Sequence, residues 1–167
     1  MYTQFYGLDE QPFNLTPDSK YLYLSRRHKE ALAALLYGIE HRKGFICLTG
    51  EIGSGKTTVY RTLLTRLDPE KVRAAVILNS YLNDLDLLKT INEQFNIPAE
   101  SFSKKELIDH LNFFLVESHR AKNNCVLIVD EAQNLRPETL EQIRMLSNLE
   151  TATDKLIQIV LVGQPQL

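Results

Sequence analysis

The densest chemistry in the chain lies in eight consecutive residues, Gly50-Glu51-Ile52-Gly53-Ser54-Gly55-Lys56-Thr57. Their spacing, G-x-x-x-x-G-K-T, suits a chain of phosphates. Glycines let the backbone curl tightly, so that N–H groups converge on the oxygens without a Cβ in the way. A helix opening at Lys56 adds the positive end of its dipole. The Lys56 ammonium reaches β- and γ-phosphates, and the Thr57 hydroxyl is a hard oxygen ligand for Mg²⁺. Thr58 follows in the first helical turn.

A second stretch, Cys125-Val126-Leu127-Ile128-Val129-Asp130-Glu131, is an apolar run that delivers two acids in succession. One carboxylate beside bound phosphates, Asp130, can hold Mg²⁺ directly or through water. Binding needs no more than that. The second acid, Glu131, is placed to orient and polarise an attacking water, so the pair points to hydrolysis. A third stretch, Ile159 to Leu167, carries Gln164 just after another apolar run. Gln164 is a candidate contact for the γ-phosphate or the water; a turn amide ahead of Pro165 reads equally well.

These residues need a scaffold. The pattern predicts a helix from Ser25 as cap to about Lys43, with Leu32, Leu35, Leu36 and Ile39 as its apolar stripe. Strands are expected at Phe45–Thr49, Ala74–Asn79, Cys125–Val129 and Leu156–Val162. Helices are expected at Lys56–Leu67 and at Leu85–Phe95 with Asp84 as N-cap. Ser103-Lys104-Lys105-Glu106 is a capping box, opening a helix with stripe Leu107, Leu111, Phe114 and Leu115. Pro137 starts another, burying Leu140, Ile143, Leu146 and Leu149. Near-continuous Val/Ile/Leu strands between helices imply an α/β fold, a parallel sheet covered on both faces.

The first 24 residues differ: six aromatics, Pro12, Pro17 and Gly7 suggest an ordered arm that packs on the core formed by residues 25–167. The whole chain of 167 residues, with 44% hydrophobic and 24% charged residues, has the composition of a globular protein. Its net charge of −2 lacks the strongly basic balance of many nucleic-acid binders. No apolar run approaches the ~20 residues of a spanning helix, and no signal peptide opens the chain, so the expected compartment is the cytoplasm. Cys47 and Cys125 both fall in predicted strands and read as buried free thiols. The histidines show no metal-ligand spacing and read as helix-surface residues.

With these pieces in order, the chain resembles the AAA+ ATPases, P-loop NTPases with a glutamate after the Walker B aspartate. Within them it is similar to the general secretion pathway protein A (ExeA-like) ATPases and the MSHA-type pilus-biogenesis ATPases. The stretches that carry the likeness are FYGLDEQPFNLTPDSKYLYLSRRHKEALAALLYGI, GFICLTGEIGSGKTT, VLIVDEAQNL, LSNLET and IQIVLVGQPQL. The resemblance implies ATP binding by Gly50 to Thr58 (Gly50, Glu51, Ile52, Gly53, Ser54, Gly55, Lys56, Thr57 and Thr58) and Mg²⁺ held by Thr57 and Asp130. It implies Glu131 as the catalytic glutamate, and Gln164 at the sensor-1 position. It implies an adenine pocket lined from the arm and the stretch up to His28, with Tyr6, Tyr23 and His28 as candidates; plain packing of the arm explains the aromatics equally. Arg144 reads as an exposed helix arginine or one facing a neighbouring subunit.

Members of that family use ATP in assembling secretion or pilus machinery, as homo- or hetero-oligomers on the cytoplasmic side of the bacterial inner membrane. Their membrane attachment would come from regions absent here. By the same likeness the chain is expected to stop before the last core strand, the lid and the arginine finger, so it should bind nucleotide but hydrolyse it weakly alone. Two other readings share the core: a nucleic-acid-linked ATPase such as a transposition helper, and a non-hydrolysing nucleotide sensor.

Overall fold

Four apolar runs in the chain become strands, and the segments of helical period between them become crossovers. The computed structural model describes residues 2–7, 23–78, 81–100 and 103–167. Four strands, β1 (Phe45–Thr49), β2 (Val72–Ile77), β3 (Asn124–Val129) and β4 (Ile157–Gly163), form one sheet in the order β1-β4-β3-β2. All pairings are parallel; Phe45 stands opposite Ile159, Val129 opposite Leu161, and Ile77 opposite Val129.

The helices are α1 (Tyr2–Tyr6), α2 (Arg26–Glu40), α3 (Lys56–Arg66), α4 (Asp84–Gln94), α5 (Lys104–Arg120) and α6 (Pro137–Leu146). They cover the two faces separately. On one face, Leu32, Leu35 and Ile39 of α2 and Val59, Tyr60 and Leu63 of α3 pack on Val126, Ile128, Val160 and Val162. On the other, α4, α5 and α6 bury Leu87, Ile91, Leu107, Leu111, Leu115 and Ile143 against Cys125, Leu127, Val129, Ile157, Ile159 and Leu161. The alternate residues of β3 and β4 thus serve opposite cores. Both strands are buried along their whole length, as the continuous apolar runs require.

Local chemistry sets the helix ends. Ser103 Oγ accepts from the Glu106 N–H, and the Glu106 carboxylate accepts from the Ser103 N–H at 2.7 Å, completing the expected capping box. Three helices end on a left-handed non-glycine residue: Arg42, Asn96 and Lys122. At each, the left-handed residue and the next return their N–H groups to the last turn, as in Lys122 to His119 and Asn123 to Ser118. Among the described residues no helix is long and apolar enough to cross a membrane.

Several expectations need correction. β2 begins and ends two residues earlier than predicted, because the pairing of Val72 with Asn124 includes less apolar residues at the strand's start. Asn83, not Asp84, caps α4: its side chain accepts from the N–H groups of Leu85 and Asp86 at 3.0 Å. In α6 the buried face is Thr139, Gln142, Ile143 and Leu146, while Leu140 is partly exposed. Cys125 is a buried free thiol, but Cys47 is exposed. Among the described residues β1 is an edge strand, and while Ile46 and Leu48 pack on the α2–α3 side, Phe45, Cys47 and Thr49 alternate onto the opposite face and are exposed. The arm's aromatics do not pack on the core where they are described. Phe5 and Tyr6 meet edge to face at 4.9 Å and are 81% and 70% exposed. A five-residue helix presents too short a stripe to bury both. Residues 8–22 of the arm lie outside the described residues.

Leu63 is fully buried where α3 meets the sheet. Leu63→Ala is expected to cost about 2–5 kcal/mol in urea unfolding, the range for a cavity at a site that cannot collapse. Tyr60, one turn earlier, is 2% exposed. Burial first, and then the neighbouring Asp130 carboxylate, pushes its phenol from 10.0 up to about 12. The neutral phenol is therefore favoured in the folded chain. Its contribution to stability is complete below pH 10.0 and is lost as pH rises through about 12. Stability measured across that window should fall more steeply for the wild type than for Tyr60→Phe; parallel curves would show that Tyr60 does not titrate this way.

Candidate functional site

The strand order brings three carboxyl ends side by side: the loop after β1, Gln164 after β4, and Asp130 after β3. Such a row of parallel strand ends is where open α/β sheets bind ligands. The loop is built by its glycines. Gly53 and Gly55 have φ of 75° and 86°, backbone values that favour glycine. A Cβ on Gly50 would lie 2.7 Å from Ser54 Oγ, and one on Gly55 would lie 2.9 Å from His28 Nε2. Gly55 is also the residue from which α3 starts, so the N–H groups of the first turn face the loop.

Lys56 Nζ donates to the carbonyls of Gly50, at 2.8 Å, and Glu51, at 3.0 Å. The ammonium thus bridges back across the loop and holds it curled. Glu51, Ile52, Gly53 and Ser54 line the exposed outer edge, whereas Lys56, Thr57 and Thr58 are half-buried. The Gly50 N–H donates to Gly163 O at 3.2 Å, which ties the loop to the end of β4.

Thr57 Oγ1 stands 3.5 Å from Asp130 Oδ2. Two hard oxygens from different elements converge here, the donor set that Mg²⁺ takes. Asp130 is 8% exposed and is held by its N–H bond to Ile77 O at 2.9 Å and by the Glu131 N–H on its Oδ1 at 2.9 Å. Tyr60, whose phenol stays protonated up to about 12, faces the same carboxylate. Glu131 turns out of line. It adopts a left-handed φ of 51° and its side chain is exposed, although the preceding acid is buried.

His28 is not a plain surface residue of α2. Its Nε2 lies 2.8 Å from Ser54 O, so the ring joins α2 to the phosphate loop from outside. Tyr23 and Tyr6, the other adenine candidates, are 85% and 70% exposed. The Gln164 side chain accepts from Gln166 Nε2 at 3.0 Å, while its backbone N–H donates to Gln133 Oε1 at 3.1 Å. Arg144 forms a two-pronged pair with Glu141 on the surface of α6.

Sequence reasoning missed Tyr60 and Gln133. For Tyr60 the signal was available: it lies three residues after Thr57, on a neighbouring part of the same helical face. For Gln133 no spacing rule gave warning, because its role depends on how the turn after Glu131 folds back against β4.

The sequence pattern of the AAA domain family matches residues 39–167. The chain is 50% identical over its full length to general secretion pathway protein A of Aeromonas hydrophila, of which it spans 30%. Among solved structures it is similar to Cdc6p of Pyrobaculum aerophilum (23% identity, TM-score 0.67, covering 86% of this chain and 41% of that one). It is likewise similar to the ORC2 protein of Aeropyrum pernix in its ADPNP–ADP complexes (20% identity, TM-score 0.66, covering 93% and 45%). At these identities the solved structures speak for the fold alone. The loop, the acidic strand end and the matched residues agree: the chain belongs to the AAA domain family, as an AAA+ member of the P-loop NTPases akin to general secretion pathway protein A.

Proposed function

We propose that this domain binds Mg·ATP and hydrolyses it, and that it works in assembling a type II secretion machine from the cytoplasmic side of the inner membrane. The observation that carries the reading is the convergence of Thr57 and Asp130, 3.5 Å apart, at the mouth of the glycine loop. The likeness to general secretion pathway protein A supports the cellular role.

The residues have separate tasks. Backbone N–H groups of the loop and of the first turn of α3 receive phosphate oxygens. Lys56, now spending its donors on Gly50 and Glu51 carbonyls, turns them to the terminal phosphates, which are stronger, charged acceptors. Thr57 and Asp130 would hold Mg²⁺, which would supply charge neutralisation to the bound phosphates. Glu131 orients the attacking water and accepts its proton, and the exposed position of its side chain keeps it within reach of solvent. Gln164, at the adjoining strand end, takes the part of a contact for the terminal phosphate or the attacking water. Oligomerisation and contacts with envelope components belong to the same proposal.

Lys56→Ala is expected to abolish nucleotide binding in calorimetric titration. Glu131→Gln should bind Mg·ATP as well as the wild type while phosphate release falls about 10²–10⁴-fold. Hydrolysis at the wild-type rate in Glu131→Gln would remove the hydrolytic role, leaving a nucleotide sensor. Strong stimulation of hydrolysis by duplex DNA would favour the nucleic-acid-linked alternative.

A further inference from the structure

Gln133 sits two residues past Glu131 in the tight turn Ala132–Asn134. Both ends of its amide are engaged. Nε2 donates to Glu131 Oε2 at 2.5 Å. Oε1 accepts from the Gln164 backbone N–H at 3.1 Å. The amide has one workable orientation. Reversed, it would set its NH₂ against an N–H and its carbonyl against a carboxylate.

The surroundings fit this bridge. A Cβ on Gly163 would lie 2.8 Å from Gln133 Oε1 and 3.4 Å from its backbone nitrogen, so the strand end must be glycine-thin for Gln133 to reach across it. The turn is pinned by bonds from the Asn134 N–H to Glu131 O at 2.9 Å and from the Leu135 N–H to Ala132 O at 3.1 Å. Ala132, at 1% exposure, anchors it in the core. On the other side of Gly163, its carbonyl accepts from the Gly50 N–H at 3.2 Å. A continuous series of hydrogen bonds therefore runs from the phosphate loop, through the end of β4 and the Gln133 amide, to the Glu131 carboxylate.

We propose that Gln133 is a positioning residue for hydrolysis: it holds the Glu131 carboxylate in register with the end of β4, so that loop, Gln164 turn and hydrolytic carboxylate move together. The proposal rests on the hydrolytic role given to Glu131. A glutamate side chain has three rotatable bonds, so its carboxylate takes its direction from the groups that bind it. Gln133 is one of these, through a charge-assisted hydrogen bond. The bridge touches neither Lys56 nor Thr57, so it governs the chemical step and not nucleotide binding.

The test uses Gln133→Glu, which keeps the acceptor for Gln164 but cannot donate to Glu131 when ionised, and Gln133→Met, which keeps the shape and loses both bonds. Each is made alone and with Glu131→Gln. Mg·ATP affinity, melting temperature, and steady-state and single-turnover hydrolysis are measured. Affinity should be unchanged in both single variants, while kcat falls about 10²-fold, the scale for a misplaced catalytic group. In the Glu131→Gln background neither substitution should lower the residual rate further. Wild-type kcat in both single variants overturns the proposal, as does an equal proportional loss with and without Glu131. A joint fall in affinity and melting temperature would mark Gln133 as merely structural and overturn it too. Full activity of Glu131→Gln itself would instead sink the hydrolytic reading, and is told apart because it does not involve Gln133.

Discussion

Parallel pairing of β1 with β4 is the constraint on which the rest depends. The chain leaves β1, lays down β2 and β3 elsewhere in the sheet, and returns to place β4 between β3 and β1. A strand adjacent to β1 by sequence would put no acid beside the loop. The returning strand does two things. Its last residue binds the start of the phosphate loop through Gly50 and Gly163, and its other edge aligns β3 so that Asp130 emerges one strand away. Parallel strands need long crossovers, and the covering helices α2 to α6 are the cheapest way to bury both faces of such a sheet.

The phosphate loop is held from three directions. Inside, Lys56 closes it on its own carbonyls. Beneath, β4 fixes Gly50. Outside, the His28 ring reaches Ser54 O and comes so close to Gly55 that no side chain fits there. The glycine at the start of α3 is thus required twice, by its left-handed backbone and by the ring beside it. Part of the loop's form is set before any phosphate arrives. Preorganisation of this kind lowers the ordering cost of binding.

Much of this was legible in the sequence. The loop, the two acids and the parallel sheet rest on local patterns: glycine spacing, an apolar run ending in Asp130-Glu131, and helical stripes such as Leu107, Leu111 and Leu115. What sequence could not give was lateral. Cys47 looked like a core thiol because its strand is apolar, but burial depends on a strand's neighbours, and β1 is the edge of the described sheet. Leu140 looked like part of a helical stripe, yet α6 turns Thr139 and Gln142 inward, where Thr139 Oγ1 donates to Asp84 Oδ1 at 3.1 Å. The arm's aromatics were read by composition, which states that rings seek a surface but not whether one is near. Gln133 was invisible for the same reason: its partners lie on two strands' ends.

Asp130 and Glu131 show how one step of backbone separates two carboxylates into different settings. Continuing β3 in extended form would send Glu131 to the opposite face from Asp130, into one of the two helical layers. The left-handed turn at Glu131 avoids that. It carries roughly 1–2 kcal/mol of backbone strain for a residue with a Cβ, offset by the Glu131 N–H bond to Asp130 Oδ1 and by the turn that follows. Asp130 stays nearly buried against Thr57 and Tyr60, in the setting of a metal ligand. Glu131 is turned to the open end of the sheet, in the setting of a group that meets water. The same turn swings Ala132 into the core and Gln133 against β4. The strain at one residue therefore sets both the different surroundings of the two acids and the geometry of the bridge between Glu131 and the end of β4.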